Sequence, residues 1–420
     1  MTIVDQLAFD IRSCNLDRRI SSGFIGKLGE NIHYGGFSAI QSRLIRLSKQ
    51  DLVRGAEESI QDVRKSCEML RSDYLEFGRQ PQGMNYYEKE VAELDAVHDQ
   101  FKLRPDLDKN RPLGLLQKLP REIITMLFLA TDDFIAIACL ATTNTALFQE
   151  GYLRLVALAQ EAYSWAGDRL ICVGDYCRID DAPEGVFSAT EAAELGLKGP
   201  TTGQDSETEE GADECSDTLN FYEALSNAMT DSAPSDYDGL LQPTWASPGK
   251  VPDLRIRKML RTLPTLDRLL YNNLSEASTC GNIGKTGKSL LANKEHPWVL
   301  CNLTTGEYVR ASAISKLRFQ PGDDYDEASL DYGPNVGRRL TLSTVVAARF
   351  CRSSDPSAAM AYEGDIHRGV WAGHRFEIVS LDSVRPLGDG REWKDVSEEV
   401  AEEMKALWIS EFGDEWQKKL

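Results

Sequence analysis

An α+β fold is predicted for this 420-residue chain by three observations. Apolar residues recur every three or four positions across residues 53–103, which is the period of a helix with one buried seam. From about Tyr163 onward the pattern changes to short β-like runs, at Arg169–Val173, Trp298–Leu303, Tyr308–Ile314 and Arg375–Leu381. Helical stretches at Arg255–Leu274 and Thr341–Phe350 lie between those runs. The expected order is an N-terminal helical hairpin, a second helical segment, and a mixed α+β domain that carries an acidic disordered insertion.

Composition narrows the function classes. Lys and Arg number 47 against 66 Asp and Glu, a net charge of −19, and such a chain repels phosphate backbones, so no nucleic-acid partner is expected. The nine cysteines are scattered without a C-x-x-C pair, which fits reduced thiols in the cytoplasm or nucleus and gives no metal site. No run of about 18 apolar residues occurs, so no membrane span is expected. No cofactor-binding pattern is complete.

Residues 1–112 are read as one helical region. Val53, Ala56, Ile60, Val63, Cys67, Leu70, Tyr74 and Phe77 keep one face of a slightly underwound helix apolar. Past Gly78–Gly83 and its Pro81, the pattern returns as Tyr87, Val91, Leu94, His98 and Phe101. An antiparallel coiled-coil-like hairpin over 53–103 is the simplest arrangement, with self-association through the same seam as the alternative. Arg104–Pro112 is charged, holds two prolines and ends the region.

Residues 113–155 form a helical segment that carries most of the information. In Leu119-Pro-Arg-Glu-Ile-Ile-Thr-Met-Leu-Phe, Pro120 suits the first helical position and Glu122 the positive helix start. Ile123, Leu127 and Phe128 are expected to share one face. Asp132 or Asp133 can cap a second helix whose face is Phe134, Ile137, Ala138 and Leu140. Two helices this apolar leave more hydrophobic surface than they can bury on each other.

These residues resemble an F-box: Leu-Pro-x-Glu-Ile, an apolar pair four or five residues on, an Asp before a second apolar helix, and a third helix near Leu147. The resemblance covers about residues 114–155, and its place after a coiled-coil-like segment is similar to many fungal F-box proteins. It implies docking on the Skp-type adaptor of a cullin-RING ubiquitin ligase, through Leu119, Pro120, Ile123, Leu127, Phe134 and Leu140. The remaining domain would then present an unknown protein substrate, with no catalysis on this chain.

The α+β domain is expected over 156–395. Its β-like runs at 298–303 and 308–314 flank Thr304-Thr305-Gly306, a hairpin signal. Residues 199–249 interrupt it with 11 acidic side chains and no Lys or Arg; removing those charges from −19 leaves −8 elsewhere. Such a stretch is expected to be mostly disordered, with Asn220–Met229 able to form a helical turn on binding. Trp165-Ala-Gly-Asp-Arg and Trp371-Ala-Gly-His-Arg repeat a turn into a strand 206 residues apart, with Gly167 and Gly373 free to take positive φ. The region around the first copy resembles proteins of mushroom-forming fungi, which implies no activity. Residues 396–420, with Val396, Val400, Met404, Leu407, Trp408 and Phe412, read as an amphipathic helix packing back on the body.

Two segments imitate active sites. Cys280-Gly-Asn-Ile-Gly-Lys-Thr-Gly-Lys-Ser lacks the glycine that a phosphate-binding loop needs at Asn282. Asp365, His367, Arg368 and His374 could form an acid/base site, but no nucleophile accompanies them, and a polar turn bracing Trp371 is the preferred reading. The competing functions are therefore a scaffold whose F-box-like helices are buried in its own core, and an enzyme centred on Asp365–His374.

Overall fold

The computed structural model describes residues 9–13, 21–23, 29, 32, 38–46, 48, 113–174, 177–183, 187–194, 221, 297–319, 340–356 and 360–420. The chain is α+β and divides into two compact units: residues 1–45, 165–235 and 294–420 form one, residues 46–164 and 236–293 the other. The hairpin expected at 53–103, the helix at Arg255–Leu274 and the Gly-Lys-rich loop at 280–289 lie outside the described residues.

The first unit corrects the reading of residues 1–112 as one helical region, because it begins with strands β1 (Phe9–Ser13) and β2 (Ser21–Gly23). Helix α1 (Ser38–Leu44) follows. The second unit contributes a 3-10 turn at Gly114–Lys118 and helices α2 (Arg121–Leu129), α3 (Phe134–Ala141) and α4 (Thr145–Tyr163). The first unit resumes with β3 (Leu170–Gly174) and a short α5 (Ala189–Glu194). Then come β4 (Trp298–Asn302), β5 (Glu307–Arg310), α6 (Ala311–Lys316), α7 (Leu342–Phe350), β6 (Cys351–Arg352), β7 (Phe376–Ser380), β8 (Lys394–Asp395) and α8 (Ser397–Phe412).

Among the described residues the strands form two four-stranded sheets, ordered β2-β1-β3-β6 and β7-β4-β5-β8. Every residue of β3, β4 and β7 is buried, and the strands are largely apolar, with Asn302, Glu377 and Ser380 as buried polar members. The β4–β5 hairpin turns where its sequence signal lies, with Gly306 at φ +75° and its N–H donating to the Asn302 carbonyl. The run at 308–314 is not one strand: it ends at Arg310 and turns into α6, whose Ala313 and Ile314 are buried. Helix α7 starts at the Thr341 cap and is buried along its whole length. Helix α8 packs Val400, Met404, Leu407 and Trp408 inward, as the amphipathic pattern requires.

The Trp-Ala-Gly repeat is the visible part of a longer correspondence. Gly167 and Gly373 adopt φ of +88° and +77°, and each turn feeds the strand that pairs antiparallel with the first strand of its own hairpin, β3 with β1 and β7 with β4. Each is preceded by a helix whose last turn holds an arginine, Arg43 or Arg349. The bonding is reciprocal. Gly167 N–H donates to the Phe376 carbonyl at 2.7 Å and Gly373 N–H to the Leu170 carbonyl at 2.8 Å. Trp165 N–H donates to Arg43 O and Trp371 N–H to Arg349 O, both at 2.6 Å. Arg169 and Arg375, equivalent residues of the two copies, form an antiparallel bridge.

Each copy also lends a strand to the other. Ile45, just past α1, bridges Ile378 of β7 in parallel, and Cys351 of β6 pairs in parallel with Cys172 of β3. The core beneath the first sheet gathers Ile171, Val173, Cys177, Ala372 and Phe221. Phe221 falls inside the acidic stretch expected to be disordered, yet it is fully buried, with its N–H donating to the Cys177 carbonyl. An aromatic ring among acidic neighbours can still anchor a segment, because one buried Phe is stabilised by about 2 kcal/mol.

Candidate functional site

In the second unit, the α2–α4 helices build an apolar core and an apolar exterior. Pro120 lies one position before α2, at φ −55° and ψ 149°, and its carbonyl accepts from the N–H groups of Ile123 and Ile124. It caps the helix instead of occupying the first helical position. Of the two candidate caps for α3, Asp133 takes the role: its Oδ1 accepts from Ile135 N–H at 2.8 Å and Ala136 N–H at 3.3 Å. Asp132 turns away to pair with Arg154 of α4.

The inner faces are Ile124 and Phe128 of α2, Ile137, Ala138 and Ala141 of α3, and Leu147, Phe148, Tyr152 and Leu155 of α4. Phe128 fits because α4 presents Gly151: a methyl group there would stand 2.6 Å from Phe128 Cε1. Burial pushes the Tyr152 hydroxyl well above its ordinary value, so it stays neutral. Glu150 accepts from Thr125 Oγ1 at 2.9 Å and pairs with Arg121, fastening α2 to α4 at one edge.

The buried stripe of α2 differs from the one expected. Phe128 is inside, but Ile123 and Leu127 face outward, 39% and 44% exposed, and Ile124 takes the inner place. Adjacent helix residues stand 100° apart, so Ile123-Ile124 and Leu127-Phe128 each offer two apolar candidates for one inward direction. Leu119, Met126 and Leu129 join the outer face, and Leu115 on the preceding 3-10 turn is 81% exposed. Within α2, Met126 and Leu127 lie three and four residues from Ile123, so these three share one side.

Four of the six residues named from sequence, Leu119, Pro120, Ile123 and Leu127, are thus exposed together, whereas Phe134 and Leu140 of α3 are half-buried. Sequence reasoning missed Leu115, Met126 and Leu129. Their signal was a helix with more apolar residues than one inner stripe can use. An outer face of this composition performs no proton or group transfer; it gains free energy only by being covered.

The second candidate divides into two networks. Asp181, buried on the first sheet's edge, holds Arg352 and Arg368 at 3.1 Å each, and His367 lies beside them. His374 instead accepts at Nδ1 from Asn302 Nδ2 at 2.9 Å, with Glu307 nearby. Burial pushes both imidazoles below their ordinary value. Cys177 is pushed up to about 12, chiefly by burial and then by Asp181, so its thiol is no nucleophile. Arg349 and Arg352 pair with residues remote in the chain, Glu399 and Glu403 for the first and Asp181 for the second. Among the described residues no group of three His, Cys, Asp or Glu could hold a metal ion, and no helix is long and apolar enough to cross a membrane.

No protein-family model matches the chain, and comparison with curated proteins and with solved structures likewise finds no match.

Proposed function

We propose that the chain is an F-box-like adaptor that docks through the outer face of α2 on a Skp-type subunit of a cullin-RING ubiquitin ligase, in the cytoplasm or nucleus, while another part of the chain presents a protein substrate. The observation that carries the reading is the exposed row Leu119, Ile123, Met126 and Leu127, backed by a separately buried row, Ile124 and Phe128. A helix with two apolar rows has one to spare for a partner. A scaffold that hid this segment in its own core would cover the outer row. A few desolvated anchors commonly dominate such an interface.

The test is a pull-down of the full chain with recombinant Skp-type adaptor. Leu119→Asp and Ile123→Asp each abolish capture with the circular dichroism spectrum unchanged, because both side chains lie on the surface, partly exposed and outside the buried row of Ile124 and Phe128. Capture that survives both substitutions, or wild-type protein that is never captured, ends the adaptor reading.

A further inference from the structure

We infer that the first unit is two interlocked copies of one hairpin–helix–turn–strand element, and that helices α2–α4, inserted in the chain between the first copy's helix and its Trp turn, unfold in a step separate from that body. The inference does not depend on what the insertion docks on.

Three observations carry it. The hairpin, the Arg-bearing helix, the Trp turn and the closing strand recur in the same order and register: Ile11 faces Cys172 as Leu300 faces Ile378, and Arg43 precedes Trp165 as Arg349 precedes Trp371. The strands are exchanged, Ile45 to β7 and β6 to β3, so residues 1–45 belong with the C-terminal strands rather than with the helices that follow them in the chain. The gap between the lent strand and the Trp turn is closed in both copies by the same bond, Trp N–H to Arg carbonyl at 2.6 Å. In the second copy that gap holds only the residues between Arg352 and Trp371; in the first it holds the chain from Arg46 to Ser164. The insertion therefore leaves and re-enters the body at points one hydrogen bond apart. A segment joined at such a stem can unfold without parting any strand of its host, which is the condition for separate cooperative units.

Native-state hydrogen exchange on the full chain, with rising denaturant, tests this. Amides of Phe9–Ser13, Leu170–Gly174 and Phe376–Ser380 lose protection in one step, and those of α2–α4 in another. Phe128→Ala removes a buried ring of the insertion and speeds exchange in α2–α4 on the order of a hundredfold, leaving β1, β3 and β7 unchanged. Phe376→Ala, or Phe376→Leu if the first does not fold, speeds exchange in β1 and β3 together with β7. The inference is overturned if Phe9–Ser13 follows α2–α4 into exchange, or if Phe128→Ala speeds β3 as much as α2.

Discussion

The Arg349 guanidinium lies 4.4 Å over the Trp371 ring while the Arg349 carbonyl accepts from the Trp371 N–H. One residue thus holds Trp371 by its side chain and by its backbone, and its charge is shared with Glu399 and Glu403 of α8. Arg43 repeats the arrangement over Trp165 at the longer distance of 5.8 Å.

Arg349→Leu should lower stability by about 2 kcal/mol, since it removes a desolvated cation–π contact and leaves the α8 carboxylates without their partner. Arg43→Leu, with the looser stack, should cost less from that contact. Urea unfolding of the two variants, compared by midpoint at equal slope, checks the order.

Gly151→Ala should destabilise α2–α4 by about 1–3 kcal/mol through overpacking against Phe128. Phe128→Leu in the same molecule should recover part of that loss. A double-mutant cycle that comes out additive would deny the contact.

The two aspartates at the start of α3 should differ. Asp133→Ala removes two cap hydrogen bonds and should cost about 1 kcal/mol. Asp132→Ala removes one exposed ion pair with Arg154 and should cost under about 0.5 kcal/mol. Thermal unfolding followed at 222 nm separates them.

Stability should respond to pH through His367 and His374 in one direction and through Glu403 in the other. Burial lowers both imidazoles, so the unfolded chain binds protons that the folded chain refuses, and stability falls as pH drops through and below 6.5. Burial raises Glu403 despite Arg349, so the folded chain binds its proton first and gains stability as pH falls toward 4.5. His374→Gln should flatten the loss and Glu403→Gln should steepen it, read as unfolding midpoints between pH 7.5 and 4.5.

How much of this was legible in sequence varies with the element. The Trp165 and Trp371 turns were visible because a positive φ demands glycine and the surrounding residues repeat. Helix α8 and the β4–β5 hairpin were visible because period and turn residues are local. The α2–α4 helices were located, but not the inward row of α2, since adjacent apolar pairs leave the rotation open. The strands at Phe9–Ser13 and Cys351–Arg352 were missed: both are short, and β3, the strand that joins them in one sheet, lies more than 150 residues from either, while the local partner of the first is only three residues long. The divergence of His367 from His374 has the same origin, because the His374 ring bonds to Asn302 and the His367 carbonyl accepts from Ser353 N–H, contacts that no local spacing shows.

The bridge from Ile45 to Ile378 also sets a schedule for synthesis. A ribosome adding roughly 5–20 residues per second needs about 20–70 s to travel from the first of these residues to the second. For most of that interval the N-terminal hairpin is made but its sheet lacks β6, and until its end Ile45 has no strand to join. The nascent first copy must wait, with its strand edges uncovered, for a C-terminal copy not yet translated. Slower elongation between the two copies lengthens that exposure.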